Sequence, residues 1–139
     1  MISPEELKLT PNQPLAPAGS SGCHSCVLLA EDDPALRRYL EIVIQRAGYE
    51  VVSAADGLEA MKFLMSKPVD VVVTDALMPN LNGYELSRFV RSSPKLAALP
   101  IVLLSALDPK NAEAEQVDAF ISKPVAPDAL LDCLSRFTK

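Results

Sequence analysis

From Cys26 to the end of the chain, short apolar runs alternate with helix-period stretches, the pattern of βα units wrapped around a parallel sheet. Five runs read as strands: Cys26 to Ala30, Glu50 to Ala54, Val69 to Thr74, Ile101 to Ser105 and Ala119 to Ser122. The third and fourth lack polar alternation, so both are expected to be central and covered on both faces. Caps and spacing mark the helices between them. Asp33 with Pro34 opens the first, Leu36, Leu40, Val43, Ile44 and Ala47 form its apolar stripe, and Gly48 closes it. Asp56 and Glu59 predict a capping box for a second helix that should bury Leu58, Met61 and Leu64. A third follows Asn82-Gly83 with Leu86, Phe89 and Val90 inward, and the last starts near Pro127 with Leu130, Leu134 and Phe137 inward. Between strands four and five the pattern fades: Asn111 to Val117 holds a single large apolar residue.

Residues 1 to 25 break the alternation. Four of the 12 prolines (Pro4, Pro11, Pro14, Pro17) fall there among Gly, Ser and Ala, which reads as a tail or linker, with one local helical turn possible at Ser3-Pro4-Glu5-Glu6. The total of 139 residues suits one domain, expected over residues 26–139. Hydrophobic residues at 49% and charged residues at 22% support a substantial core and exclude wholesale disorder. A net charge of −5 disfavours nucleic acid and anionic membranes as direct partners. No apolar run is long enough to span a bilayer, and Glu5, Glu6 and Lys8 do not fit the order of a secretory signal, so a cytoplasmic location is expected. Three cysteines, an odd count in a chain with a core of this size, are expected to be reduced. Cys23-His24-Ser25-Cys26 offers three donors to a metal, but structural zinc takes four, and Cys133, the one other cysteine, falls near the end of the last helix. Cys26 is read as the first residue of a strand and Cys133 as a small helix residue.

In an open parallel sheet, ligands gather outside the carboxyl ends of the strands. Strand one ends in Glu31-Asp32-Asp33, strand three in Asp75, strand four in Ser105 and strand five in Lys123. Carboxylates converging on one small site repel one another, so either a cation is bound beside them or their pKa values rise. Oxygen-only donors point to Mg2+, which keeps several waters and takes one or two carboxylates plus phosphate oxygens. Lys123 can pair with a phosphate, and the Ser105 hydroxyl can donate to one of its oxygens. These parts fit phosphoryl transfer, with Asp75 as the candidate nucleophile that forms an acyl phosphate and the loop Ala76-Leu77-Met78-Pro79 offering carbonyls to the metal.

The same residues carry a family resemblance. Leu28-Leu29-Ala30-Glu31-Asp32-Asp33-Pro34, Asp70 through Pro79 with Asn82-Gly83, Leu103-Leu104-Ser105-Ala106 and Ser122-Lys123-Pro124 resemble the receiver domain of bacterial two-component response regulators, of the chemotaxis-regulator kind. The resemblance covers Cys26 to Lys139. It implies a flavodoxin-like doubly wound sheet of strand order 2-1-3-4-5 with five flanking helices. It further implies Asp75 as phosphoacceptor; Asp32, Asp75 and the Leu77 carbonyl as Mg2+ ligands, with Glu31 reaching the metal through water; Ser105 and the Ala106 N–H on phosphate oxygens; and Lys123 in the salt bridge. Ser105 and Phe120 would form the switch, and Pro124 would follow a cis peptide. The implied donor is a phosphohistidine on a sensor histidine kinase or a histidine phosphotransfer protein, and the downstream target is a protein.

Plainer readings compete at each position. An acidic run after a strand is often only an N-cap, the role expected of Asp33; a Lys-Pro pair is often only a turn; and Phe120 could simply fill the core. A rival function is an enzyme of the haloacid dehalogenase type, which also uses an aspartate after a strand, but its second acid would fall at position 77, here Leu77. Another is a receiver-like module that never uses phosphate, against which the acidic pair, Ser105 and Lys123 all count. The chain ends at Lys139 directly after the last helix, so action by protein contacts without an output domain is expected, whether free-standing, as a relay intermediate or as part of a hybrid protein. Ser105 and Lys123 lie 18 positions apart, shorter than the family pattern by about one helical turn. A shortened fourth helix is therefore expected, and with it a monomer that does not pair through that face.

Overall fold

Successive strand residues point to opposite faces of the sheet and sort the apolar side chains into two layers. Residues 25–106 and 117–138 are described by the computed structural model. Within them lie β1 (Cys26–Ala30), α1 (Pro34–Arg46), β2 (Glu50–Ala54), α2 (Gly57–Ser66), β3 (Val71–Asp75), α3 (Gly83–Ser92), β4 (Ile101–Ser105), β5 (Ala119–Ser122) and α4 (Pro127–Phe137). All strand pairs are parallel, in the order β2-β1-β3-β4-β5. Val27, Leu29, Val71, Val73, Val102 and Leu104 face one side and pack with Leu40 and Ile44 of α1 and with Leu130, Cys133 and Leu134 of α4. Leu28, Ala30, Ala54, Val72 and Ile101 face the other and pack with Ala60 and Leu64 of α2 and Leu86 and Val90 of α3. The fold is thus the doubly wound α/β sheet expected, with β3 and β4 buried along their whole length. No helix among the described residues is long and apolar enough to cross a membrane.

The ends of one strand, the buried face of one helix and one cap differ from the sequence reading. β3 begins at Val71 rather than Val69 and includes Asp75. The reason is Asp70, whose carboxylate accepts from the Cys26 N–H at 2.7 Å while its own N–H donates to the Cys26 carbonyl at 2.8 Å, a side-chain closure that replaces the first ladder bond. Leu58, expected inward, is 45% exposed. The buried face of α2 is instead Gly57, Ala60 and Leu64, one residue round the helix. The predicted capping box at Asp56 is only half formed: Asp56 accepts from the Glu59 N–H, but the Glu59 carboxylate turns to the N–H of Ala55 rather than of Asp56. The reciprocal box occurs at Asn82 and Glu85, where α3 begins.

Asp33 caps α1 by accepting from the N–H groups of Ala35 and Leu36, and Gly48 turns the chain away at φ +101°. The tail reading, including Cys23 and His24, and the shortened fourth helix fall on residues 1–24 and 107–116, outside the described residues. Val117, the last residue of that expected helix segment, is described as non-helical and half-buried against the second layer. Cys26 opens β1 and Cys133 is buried in α4; both are free thiols.

Candidate functional site

The parallel register brings the carboxyl ends of β1, β3, β4 and β5 to one edge. Asp75 pairs with Leu104, so Ser105 stands one step beyond it on the neighbouring strand and itself pairs with Ser122. Lys123 follows directly, its N–H donating to the Ser105 carbonyl at 2.9 Å. Glu31, Asp32 and Asp75 each present a carboxylate oxygen within 4.8 Å of the others. Glu31 and Asp75 are buried, at 1% and 6% exposure, while Asp32 faces solvent.

Burial and like charge set the electrostatics. The Glu31 carboxyl is pushed up to about 7, first by removal from water and also by the charge of Asp75, against the opposing pull of the Asp33 N–H and of Lys123. Lys123 Nζ lies 3.0 Å from Asp75 Oδ1 and 3.4 Å from Glu31 Oε1. Its own burial favours the neutral amine, but the hydrogen bond to Asp75 and the charges of Glu31 and Asp75 outweigh this and hold its pKa above the usual value. One ammonium therefore pairs with two of the three carboxylates, Glu31 and Asp75, and leaves Asp32 without it. That surplus of negative oxygen, on two buried carboxylates and one exposed one, fits a hard divalent cation such as Mg2+.

Of the remaining sequence-derived candidates, Leu77 is 70% exposed on the loop after β3, and Ala106 is exposed just past β4. Ser105 is buried at the end of β4, and Phe120 is half-buried within β5. The Lys123–Pro124 peptide is cis, as the resemblance implied. Two supporting roles escaped the sequence reading. Arg37 Nη1 donates to the Glu31 carbonyl at 2.7 Å, pinning the acidic turn to α1. Gly83 lies so close to β3 that a Cβ there would sit 2.3 Å from the Asp75 carbonyl oxygen. Its i, i+6 spacing from Glu31 and the Asn-Gly pair were the respective signals for Arg37 and Gly83, each too common to stand alone.

Residues 27–135 match the response regulator receiver domain. The chain belongs to this family. The transcriptional regulatory protein GltR of Pseudomonas aeruginosa is 32% identical over 112 residues, covering 76% of this chain and 45% of that protein. The chain spans less than half the length of the curated relatives it matches. Among solved structures, the chemotaxis response regulator CheY4 of Vibrio cholerae is similar with a TM-score of 0.77 and 31% identity, over 82% of this chain and 98% of that one. The response regulator TrrA of Thermotoga maritima, solved in complex with Mg2+ and BeF, is similar with a TM-score of 0.76 and 28% identity, over 81% and 98% of the two chains. A receiver domain of two-component signalling is therefore the function class. The dehalogenase-type enzyme and the phosphate-independent module are not favoured, since position 77 is an exposed Leu and the acidic cluster is intact.

Proposed function

We propose that this receiver domain accepts a phosphoryl group on Asp75 and signals through protein contacts. The observation that carries the reading is the Lys123 ammonium 3.0 Å from Asp75 at the mouth of a three-carboxylate cluster. One Asp75 carboxylate oxygen attacks phosphorus, the P–N bond to a phosphohistidine breaks, and its electron pair returns to the imidazole. The protein's part is positioning and charge neutralisation. Asp32, Asp75 and the Leu77 carbonyl would hold Mg2+, with Glu31 reaching it through water; when bound, the ion supplies positive charge to the transferring phosphoryl oxygens. Lys123 neutralises a further oxygen, and the Ser105 hydroxyl and Ala106 N–H donate to the others. Ser105 and Phe120 form the switch that reports phosphorylation by shifting a surface equilibrium. The domain assists its own phosphorylation and dephosphorylation rather than turning over a separate substrate. Its donor is a sensor histidine kinase or histidine phosphotransfer protein in the cytoplasm.

Incubation with acetyl phosphate and Mg2+ followed by intact-mass measurement tests this. The wild type should gain one phosphoryl group, and Asp75→Asn, which keeps shape but removes the attacking charge, should gain none while retaining its circular dichroism. Undiminished labelling of Asp75→Asn would overturn the assignment.

A further inference from the structure

The loop from Ala76 to Asn82, which carries the Leu77 carbonyl, is closed at its base by the Gly83 N–H donating to the Ala76 carbonyl at 2.9 Å. Its far end is fastened to a different element. Asn80 adopts φ 71°, a left-handed conformation that Asn tolerates better than most residues, and in it the side-chain amide Nδ2 donates to Asp56 Oδ2 at 2.7 Å. Asp56 meanwhile caps α2 through its other oxygen, which accepts from the Glu59 N–H at 2.8 Å. Both partners hold this carboxyl below its usual range, the Glu59 N–H first and the Asn80 amide next. Beside this bond the backbones touch: a Cβ on Gly57 would sit 2.0 Å from the Leu81 carbonyl oxygen. Two neighbouring loop residues thus rest on the first turn of α2, an element that contributes no residue to the acidic cluster.

We propose that Asn80 is a positioning residue for the phosphoacceptor site: its bond to Asp56 seats the loop on α2 and so fixes the Leu77 carbonyl relative to Asp75. This rests on the metal-dependent reading above. The physical argument is that a carbonyl ligand on a loop binds a cation well only if the loop is already placed, and partners one shell out supply that order.

Four variants of the full chain test it. Asn80→Gly keeps the left-handed backbone and removes the amide. Asp56→Ser keeps one oxygen for the cap and has none left for Asn80. The double variant measures coupling, and the exchange pair Asp56→Asn with Asn80→Asp restores a hydrogen bond with donor and acceptor reversed. Mg2+ affinity is read by calorimetric titration of the unphosphorylated protein, alongside the urea midpoint and the labelling rate as Mg2+ is raised. Each single variant should weaken Mg2+ binding about tenfold, the double variant should be no weaker than either, and the exchange pair should recover most of the loss. Saturating Mg2+ should restore the labelling rate. Unchanged affinity in Asn80→Gly, or losses that follow the urea midpoint and are not recovered by the exchange pair, would overturn the tether. A wild type that neither binds Mg2+ nor labels would overturn the receiver-site reading itself, and the tether with it.

Discussion

Asp75 could be picked out because its chemistry is local: an acid at the carboxyl end of a Val-rich strand buried along its whole length has few structural reasons to be there. Its setting could not be read in the same way. Asn80 and Asp56 lie 24 positions apart, and no periodicity links a loop residue to the cap of an earlier helix. Gly83 was visible only as half of a turn signal, whereas its use is close approach, since any side chain there would strike the Asp75 carbonyl. That carbonyl also accepts from the Thr74 hydroxyl at 3.0 Å, so it has little freedom to retreat. Gly83→Ala should therefore cost about 1–3 kcal/mol, the usual penalty of overpacking, and should slow labelling of Asp75 as well. Gly48→Ala is the comparison. Position 48 has open space but φ +101°, so its cost should be about 1 kcal/mol with labelling unchanged. Urea midpoints and acetyl phosphate labelling rates separate the two, and equal labelling in both variants would show that the Gly83 contact does not reach the site.

Among the elements, those with a strong period were legible and their ends were not. The stripes of α3 and α4 face the core as their spacing predicts, and so do Leu36, Leu40 and Ile44 of α1, whereas Ala47, expected inward, is the exposed C-cap just past the helix. α2 rolled by one position, since the close seating of Gly57 against Leu81 turns the small residues Gly57 and Ala60 inward and Leu58 outward. The connection from α3 to β4 has a fastening that no motif announces. Arg91, in the last turn of α3, donates from Nη1 to the carbonyls of Ala97 and Leu99 and from Nη2 to Asp118 at 2.6 Å. Asp118 in turn accepts from the Ile101 N–H, joining the starts of β4 and β5. Removal of the guanidinium strands two carbonyls and a carboxylate at once. With both charged groups partly exposed, Arg91→Ala should cost about 2 kcal/mol in urea denaturation. Arg91→Lys, a point charge without the fork, should recover less than half of it. A loss no larger than a few tenths of a kcal/mol in Arg91→Ala would mean that water replaces the clamp.

At the scale of the whole molecule, two apolar layers hold the strand ends in register, and that register forces three carboxylates together with a single lysine among them. The packing thus stabilises an arrangement that its own charges oppose, which is the usual mark of a binding site. Stability should then depend on the ion. A ligand that binds only the folded state stabilises it by about 2.7 kcal/mol at a hundredfold excess over Kd, which for a domain of this size raises the melting temperature by roughly 10 °C. Asp32 offers the cleanest separation of the two effects, since it is exposed, belongs to the cluster and has no cation beside it among the described residues. Asp32→Asn should be at least as stable as the wild type in EDTA, because one repelling charge is gone. It should lose most of the Mg2+-induced rise, because the proposed ligand set loses one of its two direct carboxylates. Calorimetric scans in EDTA and at rising Mg2+ decide the matter: a full Mg2+ response in Asp32→Asn would remove Asp32 from the ligand set, and a lower melting temperature in EDTA would show that its carboxylate supports the fold rather than strains it.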